Sequence, residues 1–294
     1  MFKPLIFCAL SLSLCACATA QPPHAGFLSS YDGLEKQPHT TRHTMRAAVR
    51  ERTDQQALAH VRKVAIEPAV FASRGDASWL SDDERAMLLR EVDAQLCFEL
   101  SETYEMAPLD QADAVVRTAV TDVRATGRTS SVAAAAVGFL IPGPIGLRPG
   151  QAGGLTAESE MIDRATERQL AALTWSRQAN MIGTDNPSMS RVGDAMQFAE
   201  PFGDAAHRAF KTRDAKKLTI ATENDPCRSF GPRFRVEGFA ARFATGLYMP
   251  GLSKAKGDKT GGASTVQTRA AVPADAGATT VDVAAQPPAT PPAY

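Results

Sequence analysis

The 294-residue chain has no surplus of either charge, because 32 lysines and arginines are matched by 32 acidic side chains. A protein that grips a nucleic-acid backbone carries a basic excess, so no nucleic-acid partner is expected. Aromatic residues are scarce at 6%, which argues against a carbohydrate platform paved with Trp and Tyr. Histidine is rare too. Only His39 and His43 stand four apart, in a polar, Thr-rich stretch with no acidic residue nearby, and two ligands without a third make a poor zinc site. No Gly-x-Ser-x-Gly motif occurs, and serines such as Ser130 and Ser131 have no base in a recognisable context. The Gly-rich stretch 143–154 lacks the Gly-Lys-Ser/Thr ending of a phosphate loop. Asp76, Asp82, Asp83 and Glu84 crowd together. The last three are explained as capping and helix-dipole partners of a helix start. No catalytic residue, metal or cofactor is therefore expected.

Long apolar runs are missing as well. Leu5 to Leu14 is too short to cross a bilayer, and after Met1-Phe2-Lys3 it has the length of a signal-peptide core. It ends in Leu14-Cys15-Ala16-Cys17, which resembles the lipobox of bacterial lipoproteins. That resemblance implies acylation of Cys17 and cleavage just ahead of it, so residues 1–16 form a signal peptide. Cys15 is a poorer acceptor because it would put bulky Leu14 where a small residue is needed, and Cys8 lies too deep in the apolar run. Ala18 follows the cysteine in place of the Asp that retains lipoproteins at the inner membrane, so the outer membrane is favoured. The alternative is an ordinary secretory signal cut within Ala18-Thr19-Ala20, with Gln21 as the new terminus. Two other cysteines remain, Cys97 and Cys227. In an oxidising periplasm they form either a bridge or two unpaired thiols.

Hydrophobic residues at 44% suffice for a real core. Residues 17–25 read as a tether, and Phe27, Leu28, Tyr31 and Leu34 recur at helical spacing, as if a short amphipathic turn docked that tether on the body. A domain over 26–222 follows. Val61 to Phe71 reads as a strand broken near Pro68. Ser81-Asp82-Asp83-Glu84 reads as a capping box opening a helix that runs to about Tyr104, with Leu89, Val92, Leu96 and Leu100 as its apolar stripe. Ala112 to Thr126 reads as a second strand. Leu155 to Asp163 and Gln169 to Arg177 form a hairpin with Glu158 and Glu160 on one face and Ala157, Ser159 and Met161 on the other. Gly203 to Lys217 reads as a second helix. The order β-α-β-β-β-α predicts an α+β fold, a small mixed sheet with two helices on one face. An aromatic and arginine-rich extension covers 223–250. The tail 251–294 is dominated by Gly, Ala, Thr and Pro and is expected to be disordered.

Together the lipobox, the opening Gly26-Phe27-Leu28-Ser29-Ser30-Tyr31, the strand Val64-Ala65-Ile66-Glu67-Pro68, the strand Ala112 to Arg124 and the hairpin Glu158 to Trp175 resemble the bacterial lipoprotein family called domain of unknown function 3313 (DUF3313). The likeness runs from about Gly26 to Lys217, and the opening motif is its most specific part. It implies an address and a fold but no reaction. Family hairpins often turn on Thr-Gly where this chain has Thr166-Glu167, and a Trp usual in the last helix is replaced by Phe210. Element order is also similar to that of periplasmic lipoproteins of envelope assembly, including the curli secretion channel, at the level of fold alone.

Two stretches stand apart. Residues 131–147, with Val132, Val137, Phe139, Leu140 and Ile141, are longer and more apolar than an ordinary strand connection. They read either as a buried crossover or lid, or as an exposed surface for self-association, a partner or the membrane. Residues 228–247 interleave Phe230, Phe234, Phe239 and Phe243 with Arg228, Arg233, Arg235 and Arg242. Either the Phe face covers the domain's edge, or Arg235, Phe239, Arg242 and Phe243 lie on anionic lipid. The chain is read as a non-enzymatic lipoprotein on the periplasmic side of the outer membrane, acting in binding or envelope assembly. Its partners are the membrane, through acyl chains, and an envelope protein or further copies of itself. The alternatives are a subunit of an export or pore assembly that uses 131–147, and a cell-envelope hydrolase.

Overall fold

Period-two alternation builds the centre of the structure. The computed structural model describes residues 23–38, 46–72, 77–127, 146–147, 153–179, 182–183 and 185–256. Cys17, His39, His43, Asp76, Val132, Val137, Phe139, Leu140, Ile141 and the tail beyond 256 lie outside the described residues. Strands β8 (Gly154–Asp163) and β9 (Gln169–Gln178) form the expected antiparallel hairpin. At its tip the Asp163 carboxylate accepts from the Ala165 and Thr166 amides and the Thr166 hydroxyl, at 3.1, 2.8 and 2.8 Å. Glu167 follows at φ 55°, the left-handed region that a glycine occupies without steric cost. The Thr-Glu departure from the family turn therefore sits at the position that favours glycine.

The hairpin lies inside an eight-stranded mixed sheet. On one side β2 (Ala47–Thr53) pairs antiparallel with β9, and β1 (Glu35–Lys36) forms the edge. On the other, β6 (Ala114–Arg124) pairs antiparallel with β8, followed by β3 (Lys63–Ile66) and β5 (Glu105–Met106) in parallel. The strand expected over Val61 to Phe71 is two strands. Pro68 has no amide for the ladder, and the chain resumes as β4 (Val70–Phe71), again against β6. A separate pair joins β7 (Gly146–Leu147) to β10 (Ile182–Gly183). The α+β mixed sheet is as expected. Its size is larger than the sequence suggested, chiefly because β2, with its run Arg50-Glu51-Arg52, lacks the look of a strand.

After the short helix α1 (Gln55–Leu58), two long helices cover one face. In α2 (Asp82–Leu100) the Ser81 and Glu84 side chains each accept the other's backbone amide, a complete capping box. The second, α3, spans Gly193–Ala209 rather than Gly203–Lys217. Pro201 lies inside the helix. Its ring removes one backbone bond, while Met196, Ala199, Phe202 and Ala206 are buried along one stripe. Gly203 allows α3 to approach α2 closely, since a Cβ there would meet Gln95 backbone atoms at 3.0 Å. Between helices and sheet lie Leu88, Val92, Leu96, Leu100, Phe198 and Phe202 against Val116, Val120, Leu155, Met161, Leu173 and Trp175.

Helix α2 is buried on two sides, so Leu88 takes the core position assigned to Leu89. Its other side, with Ala94, Cys97 and Phe98, packs against Cys227 and Ala255 of the C-terminal extension. Cys97 and Cys227 are joined by a disulfide across 130 residues of sequence. In the chain-entropy picture, closing so long a loop stabilises by roughly 4–5 kcal/mol. The double substitution Cys97→Ala/Cys227→Ala should lower the urea unfolding free energy by an amount of that order. A loss under about 1 kcal/mol would show that the bridge holds nothing the packing does not already hold.

Candidate functional site

The face of the sheet turned away from the helices is polar at its centre, and the N-terminal segment closes over it. Alternation along β8 puts Leu155, Ala157 and Met161 under the helices and so sends Glu158 and Glu160 to the opposite face. Both carboxylates are nonetheless buried, at 2% and 0% exposure. An ionised group this deep must be hydrogen-bonded or paired, and residues 25–31 supply the partners. Glu158 accepts from the amides of Ala25 (2.8 Å) and Phe27 (3.3 Å) and from the Tyr31 hydroxyl (2.5 Å). Glu160 accepts from the Ser29 amide (2.8 Å), the Ser29 hydroxyl (3.0 Å) and the Gln169 amide side chain (2.7 Å). Arg117 lies 3.5 Å from Glu160 and also covers the Phe27 ring.

Tyr31 ties this clasp together. Its oxygen accepts from the amides of Gly26 and Phe27 at 2.7 and 2.9 Å while its proton goes to Glu158. Burial, and after it the bond to Glu158, pushes the hydroxyl up to about 12, so it remains a donor at neutral pH. His24 stacks on the Tyr31 ring with centroids 4.1 Å apart. The expected amphipathic turn of Phe27, Leu28, Tyr31 and Leu34 is not a helix. Leu28 is buried and the others are half-buried, but most of the attachment is polar, and helical spacing could not reveal that.

The extension carries a second feature. Helix α4 (Val236–Thr245) is followed by α5 (Pro250–Ser253). Gly238 faces inward, where a Cβ would stand 3.1 Å from the Ser253 Cα. The opposite face is apolar and bare: Val236 is 61%, Phe239 47% and Phe243 86% exposed, with Phe234 at 63% just before the helix. Phe234 and Phe239 are in ring contact, and the Arg242 guanidinium covers Phe239. The helix is held by its ends. Arg235 binds both oxygens of the buried Glu91 carboxylate at 2.7 and 2.9 Å, and the Tyr248 amide donates to the Pro187 carbonyl. Arg235 is therefore turned inward as the ion-pair partner of a buried carboxylate, which corrects its expected place among lipid contacts. Phe239, Arg242 and Phe243 are exposed as that reading requires, whereas Phe230 packs edge-on against Phe98 and covers the domain's own edge. No helix among the described residues is long and apolar enough to cross a membrane.

A family model described as protein of unknown function, DUF3313, matches residues 23–206. The chain belongs to the DUF3313 family. The DUF3313 region contains the clasp, the sheet and nearly all of α3, whereas the extension bearing α4 lies beyond it. Among curated proteins, none matches the chain. Several solved structures are similar at low identity. A PelC dodecamer from Paraburkholderia phytofirmans is 12% identical, with 57% of this chain covering 99% of that one at a TM-score of 0.35. A DUF4136 family protein from Bacteroides thetaiotaomicron is 9% identical over 57% and 98% of the two chains, at a TM-score of 0.31. A lipoprotein from Neisseria meningitidis is 11% identical over 40% and 85%, at 0.23. Likeness this distant carries no argument about function.

Sequence reading placed Glu158 and Glu160 on the correct face but not in a site. The available signal was the pair of acids alternating within an otherwise apolar strand. Glu158→Ala should destabilise by about 2–4 kcal/mol, because it leaves the half-buried Ala25 amide and the Tyr31 hydroxyl without their acceptor and weakens the hold on Phe27. It should also speed hydrogen exchange at Ala25, Phe27 and Ser29. Glu105→Ala on the exposed edge should stay within about 0.5 kcal/mol. Equal effects of the two would deny the clasp its role.

Proposed function

We propose that this protein is an outer-membrane lipoprotein, acylated at Cys17, whose periplasmic body lies against the lipid surface and acts there as a non-enzymatic binding or assembly component. The observation that carries the proposal is the outward apolar face of α4. A helix of a soluble domain turns its large apolar side chains to the core, and this one turns Gly238 inward and Val236, Phe239 and Phe243 outward. Exposed cations of the extension, Arg242, Lys254 and Arg228, suit an anionic headgroup layer, against one exposed acid on α4, Glu237.

The clasp makes the attachment short. From Cys17 to Ala25 the chain spans at most about 28 Å fully extended, and from Ala25 onward it is bound to Glu158 and Glu160. A body on so short a lead stays within reach of the bilayer, where a weak apolar contact suffices. The acyl chains contribute the larger share, at about 0.8 kcal/mol per buried methylene.

Mature protein purified from cell envelopes should carry a thioether-linked diacylglyceryl group at Cys17 by mass spectrometry. An unmodified terminus at Gln21 would remove the anchor. A Cys17→Ser form lacking the signal should sediment with anionic vesicles at low salt. Phe239→Asp/Phe243→Asp should lose about tenfold or more of that binding, given roughly 1.5–3 kcal/mol per buried Phe, with an unchanged unfolding midpoint. No vesicle binding would refute the lipid contact. Self-association that those substitutions abolish would give the face to a second copy instead.

A further inference from the structure

Where α2 and α3 end, three metal-ligating side chains converge. Glu99 lies in the last turn of α2 and Glu102 just beyond it. His207 is in the last turn of α3. One ligand atom from each lies within 4.8 Å of the others. His207 Nδ1 is 3.9 Å from Glu99 Oε2, too far for a hydrogen bond, while Nε2 is 2.7 Å from Thr103 Oγ1. With its proton on Nε2, donating to Thr103, the ring keeps the Nδ1 lone pair turned toward the carboxylates. This is the arrangement by which an outer partner orients a metal-bound imidazole.

We propose that Glu99, Glu102 and His207 form a site for a divalent cation, with zinc as the ion whose nitrogen and oxygen donor preferences they match. Magnesium and calcium favour all-oxygen sets, whereas one imidazole with two carboxylates leaves a fourth position for water on tetrahedral zinc. The electrostatics agree. Burial lowers the His207 imidazole to about 4, leaving it neutral and able to coordinate. Burial, followed by the fields of Asp204, Glu102 and Glu200, raises Glu99 to about 7, against an opposing pull from Arg233. A cation would relieve that crowding. Lys217 bonds Glu102 at 2.8 Å but is 73% exposed and free to swing away, and Lys211 and Arg208 add positive field at the imidazole. The ion would fasten the end of α2 to the end of α3 independently of the membrane reading.

The test uses the full-length protein in detergent, stripped with a chelator and titrated with zinc by calorimetry and with cobalt(II) by absorption. A His39→Ala/His43→Ala background removes the one histidine pair spaced for adventitious binding. One equivalent of zinc should bind and raise the unfolding temperature. Glu99→Gln and Glu102→Gln should each weaken binding by about tenfold or more. Glu99→Gln preserves side-chain size and one amide oxygen, and its metal-free unfolding temperature checks that the fold is intact. The proposal fails if no zinc binds in that background, or if zinc binds there equally well after both Glu→Gln changes.

Discussion

Two carboxylates, buried where water cannot reach them, fix how the N-terminal segment meets the body. Glu158 and Glu160 sit mid-sheet on the face the helices leave open, and neither can stay ionised there without donors. Ala25, Phe27, Ser29 and Tyr31 provide them. Residues 25–31 are thereby part of the fold. Removing them would not merely loosen a leader; it would leave two buried charges without most of their partners, a loss of several kcal/mol by the usual cost of unpaired buried ions.

The same logic recurs on the helix side. Arg235 is drawn in by Glu91, Cys227 by Cys97, and Arg233 by Asp225 and the carbonyl of Phe98. These ties hold the extension against α2 and consume the inner face of α4's surroundings. Its large apolar side chains are left outside. An amphipathic helix with its large apolar side chains outward is costly in water, so α4 calls for a covering surface, and the proposed lipid contact would supply one.

Much of the fold was legible because its signals are local. The Ser81–Glu84 capping box lies within four residues, and the β8–β9 hairpin declares itself by alternation and by the Asp163 turn. Strand β2 was not legible, since its exposed-looking Arg50 and Arg52 are paired and covered only once the chain has folded. Helix α3 lies earlier than expected, and burial along Met196, Ala199 and Phe202 lets it run through Pro201, which would break an isolated helix. The site was less legible still. The parity of Glu158 and Glu160 was visible, but all their donors except Gln169 lie distant in sequence, Ala25, Phe27, Ser29 and Tyr31 more than a hundred residues earlier for example, and the Glu91–Arg235 pair is separated by 144 positions. Arg235 therefore read as one more surface cation among the arginines of the extension. Nothing local distinguishes it from Arg242, which is exposed.

The account is tested most directly by a spin label at Ala240, on the apolar side of α4, in the acylated protein embedded in outer-membrane vesicles. Power saturation should find that label more accessible to oxygen, which concentrates in lipid, than to a water-soluble nickel chelate, while a label at Glu105 shows the reverse. If both labels report the same aqueous surroundings, α4 does not rest on the bilayer, and the protein uses its bare apolar face for something else.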